Sequence, residues 1–215
     1  MDYRQRITEE AANMFRTYGI RAVTMDMLAS QLGISKRTIY EIFRDRDELL
    51  SGVLKYMEEK QQELIKRVFG ESENVVEAIF TLLDLMSAHI RKMSPAFKLD
   101  MEKYHNDILK VLRENGRMPY YFDNAEMLKR GISEGIFRDD IDIEVTNNCI
   151  YEVMKMSVDK DKIGTGKLEK EVLIRNFYLN YLRGICTSKG LGLIEFYEKK
   201  QKINNQTDFI KEKFF

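Results

Sequence analysis

Thr24-Met25-Asp26-Met27-Leu28-Ala29-Ser30-Gln31-Leu32-Gly33-Ile34-Ser35-Lys36-Arg37-Thr38-Ile39-Tyr40-Glu41-Ile42-Phe43-Arg44-Asp45-Arg46 predicts two short helices meeting at a sharp turn. Thr24 offers a side-chain oxygen to the free amides of a helix start, and Asp26 follows where negative charge suits the helix dipole. Leu28, Ala29 and Leu32 recur at helical spacing. Gly33 stands where left-handed backbone is cheapest and ends the helix. Ile34 fills the turn, and Ser35 caps a second helix carrying Ile39, Ile42 and Phe43 on its inner side. This is the spacing of a helix-turn-helix, whose second helix lies in the DNA major groove.

The outer side of that second helix carries Ser35, Lys36, Arg37, Thr38 and Tyr40. N-terminal residues of a recognition helix reach base edges, and its free amides favour phosphate. Arginine can bond guanine through two parallel hydrogen bonds, while threonine and tyrosine can touch a thymine methyl or bond phosphate. Thr24, Met25, Arg44, Arg46 and Arg4 complete the expected DNA-binding set; Arg4, Lys36, Arg37, Arg44 and Arg46 can share one side of the folded unit. A solvated polar face on a small helical hairpin is the plainer reading, but caps, turn, apolar spacing and exposed chemistry agree on DNA.

Phe15, Gly19, Thr24, Leu28, Ala29, Gly33, Ile34, Ser35, Ile39, Tyr40, Phe43 and Leu49 fall on a pattern similar to the DNA-binding domain of TetR-family transcriptional regulators. Arg37 stands where that family often has glycine, Ile42 where it has histidine or tyrosine, and Arg46 where it has lysine. Arginine for lysine keeps a phosphate-binding cation. The resemblance covers the first quarter of the chain. It implies a sequence-specific DNA-binding regulator, most simply a ligand-responsive repressor.

The chain of 215 residues has 35 basic and 35 acidic side chains, so bulk charge does not mark a nucleic-acid partner. Residues 1–50 are neutral as well: Arg4, Arg6, Arg16, Arg21, Lys36, Arg37, Arg44 and Arg46 stand against Asp2, Glu9, Glu10, Asp26, Glu41, Asp45, Asp47 and Glu48. That balance weighs against a nonspecific DNA clamp, which needs a basic face. Cys149 and Cys186 have no metal-type spacing, and each reads as a reduced, buried small hydrophobe. No apolar run approaches the ~18 residues of a membrane helix, and no signal segment opens the chain. The expectation is a soluble cytoplasmic protein with no membrane partner. Two prolines and long helical periods predict an all-α fold.

Residues 3–18 read as a first helix with Ile7, Ala11, Met14, Phe15 and Tyr18 on one apolar stripe. Asp45 and Glu48 form a capping-box pattern opening a long helix to Phe69. A helix from Asn74 through Met93 is apolar on nearly all sides and is expected at the buried centre of a larger domain. Ser94-Pro95 opens another helix. Residues 105–134 fit either one kinked helix or two. Two further long helices are expected at about 143–158 and 168–187, with a polar glycine-containing loop between them. A short helix over 191–200 precedes a frayed or partner-dependent end. The expected division is a DNA-binding domain over 1–48, a helical effector-binding and dimerisation domain over 49–202, and a tail over 203–215. Residues 131–142 also resemble the joint before the last two helices of the TetR family.

Helix-turn-helix proteins commonly bind as dimers, because two half-sites ~34–36 Å apart add the specificity one short helix lacks. The resemblance implies that the last two long helices pair with their copies in a four-helix bundle, with Tyr151, Met154, Phe177, Tyr178, Tyr181 and Ile185 as candidates for the homodimer seam. It also implies a small apolar or amphipathic effector held in the larger domain. Met86, His89, Met93, Phe97, Met101, Tyr104, Tyr121 and Phe122 are the candidate lining, and methionines suit an adaptable pocket. Ordinary helical core is the plainer reading of each residue in both sets. His89 and His105 lack partners at metal-ligand spacing, so neither a metal nor a cofactor is expected. No nucleophile–base pair or glycine-rich phosphate loop marks an enzyme. A helical protein-interaction module of this architecture that no longer binds DNA is the alternative.

Overall fold

The computed structural model describes residues 2–104, 124–158 and 170–214, and their regular structure is helical. The helices are α1 (Tyr3–Tyr18), α2 (Met25–Leu32), α3 (Lys36–Ile42), α4 (Arg46–Glu71), α5 (Val75–Lys92), α6 (Pro95–Tyr104), α7 (Asn124–Ser133), α8 (Ile143–Val158), α9 (Lys170–Ile185) and α10 (Ser188–Phe214). Among the described residues, β pairing is limited to an isolated bridge between Phe137 and Cys186. No described helix is long and apolar enough to cross a membrane.

The chain divides into two compact units. The first takes residues 1–66 together with α5 from Met86 and α6, so it extends well past residue 48. Asp2 caps α1 by accepting the Arg4 amide, and the α1 stripe buries Ile7, Ala11, Met14 and Phe15. Tyr18, expected on that stripe, is 55% exposed as the last residue of the helix, which Gly19 caps. Leu28, Ile39, Phe43, Leu49 and Val53 join the same core. So do Phe97 and Met101 of α6.

The attachment of α6 is specific. The Ser94 amide donates to the Arg16 carbonyl at 3.1 Å, and the Arg21 amide donates to the buried Asp100 carboxylate at 2.8 Å. Between them Gly19 has a φ of 91°, and a Cβ there would stand 2.8 Å from the Ala96 Cβ. Only glycine meets both the backbone and the space requirement. Replacing Asp100 by alanine removes the acceptor of a part-buried N–H and is expected to cost about 1–3 kcal/mol; the urea midpoint of unfolding checks it, and an unchanged midpoint would show that water replaces the carboxylate.

The second unit holds Arg67–Leu85 with α7 to α10. Here one ion pair holds two helix ends. Arg130 of α7 donates to the Phe69 and Ser72 carbonyls near the end of α4 and pairs with Glu134. Glu134 in turn accepts the Val75 amide at the start of α5, at 2.8 Å. A cation at one terminus and a carboxylate at the other satisfy orphan backbone groups and match both dipoles. Among the described residues, the buried side of α5 is Val75, Val76, Ala78, Ile79, Phe80, Leu82 and Leu83, whereas Leu85 is 39% exposed. Thus α5 is a one-sided helix divided between the units, not the all-round buried centre that its composition suggests.

The joint over 131–142 is held by backbone. The Arg138 amide donates to the Ile185 carbonyl and the Thr187 amide to the Ile136 carbonyl, both at 2.9 Å. Helix α10 then runs without a break to Phe214, longer than the short 191–200 helix expected. No glycine or proline follows Gly192, so nothing local stops propagation once the helix has started. Cys186 is buried, which pushes its thiol up to about 11, whereas Cys149 is exposed and not the buried hydrophobe expected.

Candidate nucleic-acid interface

Three caps set the recognition helix. Thr24 Oγ1 accepts the Met27 amide at 3.2 Å and starts α2. Gly33, at φ 66° in the left-handed region, ends it and lets the Ile34 amide bond the Ala29 carbonyl at 3.0 Å. Ser35 Oγ accepts the Thr38 amide at 3.0 Å and starts α3. Helix α3 turns Ile39 into the core, and Phe43 follows in extended backbone, fully buried. Tyr40 is 46% exposed, and Lys36 and Arg37 are exposed beside it.

Lys36, Arg37 and Arg44 each stand against a carboxylate. Lys36 Nζ lies 2.7 Å from Asp26 Oδ2, Arg37 Nε 2.9 Å from Glu41 Oε1, and Arg44 Nε 2.9 Å from Asp45 Oδ2. The hydrogen bond to Asp26 raises the Lys36 ammonium above its ordinary value. At these exposures such pairs contribute little to stability, and water and phosphate both compete with them.

Three residues expected at the DNA are placed otherwise. Met25 is 8% exposed and packs into the core, because the first turn of α2 rests on α1. Arg46 donates to the Ile20 carbonyl, tying α4 to the segment between α1 and α2. Arg4 lies 4.5 Å over the Phe43 ring and bonds the Ile42 carbonyl and Glu48. Arg4 therefore props the end of α3. The Thr24 and Ser35 side chains serve as caps, leaving Lys36, Arg37, Tyr40 and Arg44 as the exposed set, with Thr38 half-buried beside Ser35. Asp26 and Lys36 are ten positions apart across a turn, a spacing no helical period flags. The Arg37–Glu41 pair, by contrast, has ordinary i,i+4 spacing.

The capping of α4 departs slightly from the expected box. Asp45 Oδ1 accepts the Glu48 amide, while Glu48 Oε2 accepts the amide of Arg44, both at 2.8 Å. That backbone donor, with Arg4 beside it, holds the Glu48 carboxyl below its ordinary value; the Glu48 amide, then Arg44, does the same for Asp45. Depressed carboxylate values stabilise the fold above the unfolded values near 4 and lose that contribution as pH falls through the folded ones. Urea midpoints measured from pH 7 to 3 are therefore expected to fall less steeply below about 4 in Glu48→Gln than in the parent. Equal slopes would remove Glu48 from the acid response.

Of the expected effector lining, His89, Met93, Phe97 and Met101 have described side chains. Phe97 and Met101 are taken by the core of the first unit, and Met93 packs against that core. Helix α6 lies on α1 and uses Phe97 and Met101 for folding. His89 is half-buried, and burial, then Arg16 and Lys92, pushes its imidazole below the ordinary value. Tyr121 and Phe122 lie outside the described residues, as do the side chains of Met86, Tyr104, Tyr151 and Met154. Of the expected dimer seam, Tyr178 and Ile185 are buried in their own unit, and the Tyr178 hydroxyl donates to Met127 Sδ at 3.3 Å. Phe177 and Tyr181 are half-buried. Among the described residues, those outward on these helices include Glu144, Val145, Asn148, Cys149, Glu152, Val172, Asn176 and Asn180. Among the described residues no group of three histidine, cysteine, aspartate or glutamate side chains stands close enough to hold a metal.

A capped two-helix turn braced by α1, with cations and a tyrosine outward on its second helix, defines a DNA-binding regulatory module. Residues 7–53 match the family model described as bacterial regulatory proteins, tetR family. The chain is 24% identical over 204 residues to the HTH-type transcriptional repressor KstR2 of Mycolicibacterium smegmatis, covering 87% of this chain and 92% of that one. It is 32% identical over 93 residues to the HTH-type transcriptional regulator YhgD of Bacillus subtilis, a match spanning 41% of this chain and about half, 49%, of that relative. A transcriptional regulator from Cytophaga hutchinsonii shares the fold at a TM-score of 0.60 and 16% identity, over 85% of this chain and 98% of that one. The chain is thus similar to TetR-type transcriptional regulators over most of its length, with that family's DNA-binding domain over residues 7–53.

Proposed function

We propose that the protein is a ligand-responsive repressor that binds a palindromic operator as a homodimer. The observation that carries this reading is α3 itself: Ser35-capped, seated on Ile39 and Phe43, with Lys36, Arg37 and Tyr40 exposed. One such seven-residue helix reads too few bases for a unique site, so a twofold pair is required. KstR2 is itself described as a repressor, which supports the sign of regulation. The outward faces of α8 and α9 offer exposed Val145 and Val172, with Asn176 and Asn180 alongside, and these replace the buried Tyr178 and Ile185 as the dimer seam. Small effectors are supported by a fold relative solved with choline, from Saccharomonospora viridis (TM-score 0.54, 16% identity, 86% of this chain and 97% of that one). The effector acts by favouring the arrangement that cannot span two half-sites, and α4, which is continuous from the recognition unit onward, is the element that carries the change.

Selection of bound duplexes from a random pool tests the core of this reading. The expected product is an inverted repeat whose half-site centres are about one helical turn apart. An unrepeated site would remove the dimer. The second reading, a helical interaction module, is favoured by the ion-paired state of Lys36, Arg37 and Arg44; a steep fall of log affinity with log salt excludes it.

A further inference from the structure

The exposed cations of the recognition surface are neutralised one by one. Asp26 holds Lys36 at 2.7 Å and Glu41 holds Arg37 at 2.9 Å, with the two carboxylates 70% and 59% exposed. Neither acid is buried, and the caps that start the two helices are Thr24 and Ser35. Both acids sit where a duplex would lie, among the side chains that would meet it. A phosphate that takes Lys36 or Arg37 must displace the resident carboxylate and then share space with it.

Binding to unmatched DNA is almost wholly phosphate attraction, so that competition falls on it in full. A matched groove differs, because an exposed carboxylate there can accept from the amino edge of cytosine, a contact in register only at the right sequence. We infer that Asp26 and Glu41 are specificity determinants: competitors for phosphate, built into the reading surface, that hold down binding to non-operator duplex. A genome offers ~10⁶–10⁹ unmatched sites, so suppressing that background raises operator occupancy more effectively than tighter operator binding alone. The inference deepens the DNA-binding reading and rests on it.

The test compares the full-length protein with the double variant Asp26→Asn/Glu41→Gln. Each is titrated over a salt series against a random-sequence duplex and against an operator selected from a pool. A second double variant, Glu59→Gln/Glu63→Gln, changes net charge equally through the exposed pairs with Lys55 and Lys60 on α4. The expected result is about tenfold tighter binding of the recognition-surface variant to random duplex, with a log–log salt slope steeper by about 1–2. Its operator affinity rises less, so the operator-to-random ratio falls, while the α4 variant stays near the parent. Equal gains on both duplexes, or an equal gain from the α4 variant, would overturn the inference. Unchanged random-duplex affinity would overturn it too, while leaving DNA binding intact. A parent protein that binds neither duplex at any salt would remove the DNA-binding reading itself.

Discussion

Replacing Phe97 by alanine is expected to lower stability by about 3–5 kcal/mol, a large share of the roughly 5–15 kcal/mol available to a folded domain. Phe97 is 5% exposed and belongs to the same core as Phe15, Leu28 and Phe43. Truncation removes a ring from water-free surroundings and leaves a cavity that the rigid neighbours fill only in part. Leu99, on the same helix but 56% exposed, is the control, expected within about 0.5 kcal/mol of the parent as alanine. Urea unfolding followed by helical signal measures both. A Phe97→Ala protein within about 1 kcal/mol of the parent would mean that the ring faces an open cavity, and the effector lining would regain its strongest member.

The triple variant Lys36→Ala/Arg37→Ala/Tyr40→Ala is expected to lose at least about a hundredfold in operator affinity. One bidentate arginine–guanine contact is worth about 1–3 kcal/mol of discrimination, and lost phosphate contacts lower the salt slope further. Stability is expected to change little, because all three side chains and their two ion pairs are exposed to solvent. Fluorescence anisotropy on the selected operator, with a parallel urea melt, separates lost recognition from lost folding. Full operator affinity in the folded variant would move the reading surface off α3.

Much of the recognition unit is local in origin, and that part is legible in the chain. Thr24, Gly33 and Ser35 act within four residues of themselves, through caps and one left-handed backbone. Ile39 and Phe43 lie inward because a helical period places them there. The same locality explains the helices of the rest of the described chain, whose ends are marked by Pro95, by the Asp142 cap on the Val145 amide, and by the Gly-free run after Gly192.

Which partner each outward or inward residue meets is a different matter. A methionine or phenylalanine stripe states that a face will be covered, not by what, since burial of apolar area is non-directional. Phe97 and Met101 therefore fit an effector pocket and the core of the recognition unit equally well until α6 is seen lying on α1. Arg4 and Arg46 resemble phosphate ligands by charge alone, yet Arg4 has a ring, a carbonyl and a carboxylate within reach and Arg46 a carbonyl, all brought there by other helices. Tyr178 is apolar enough for either side of α9, and the neighbouring Met127 settles it inward. By itself the sequence determined the all-α class, the capped reading helix and its exposed chemistry, because those depend on contacts a few residues long. The tertiary structure alone decided the carboxylate facing Lys36, the neighbours of α6 and the outward side of α9, because those depend on side chains far apart in the chain meeting in space.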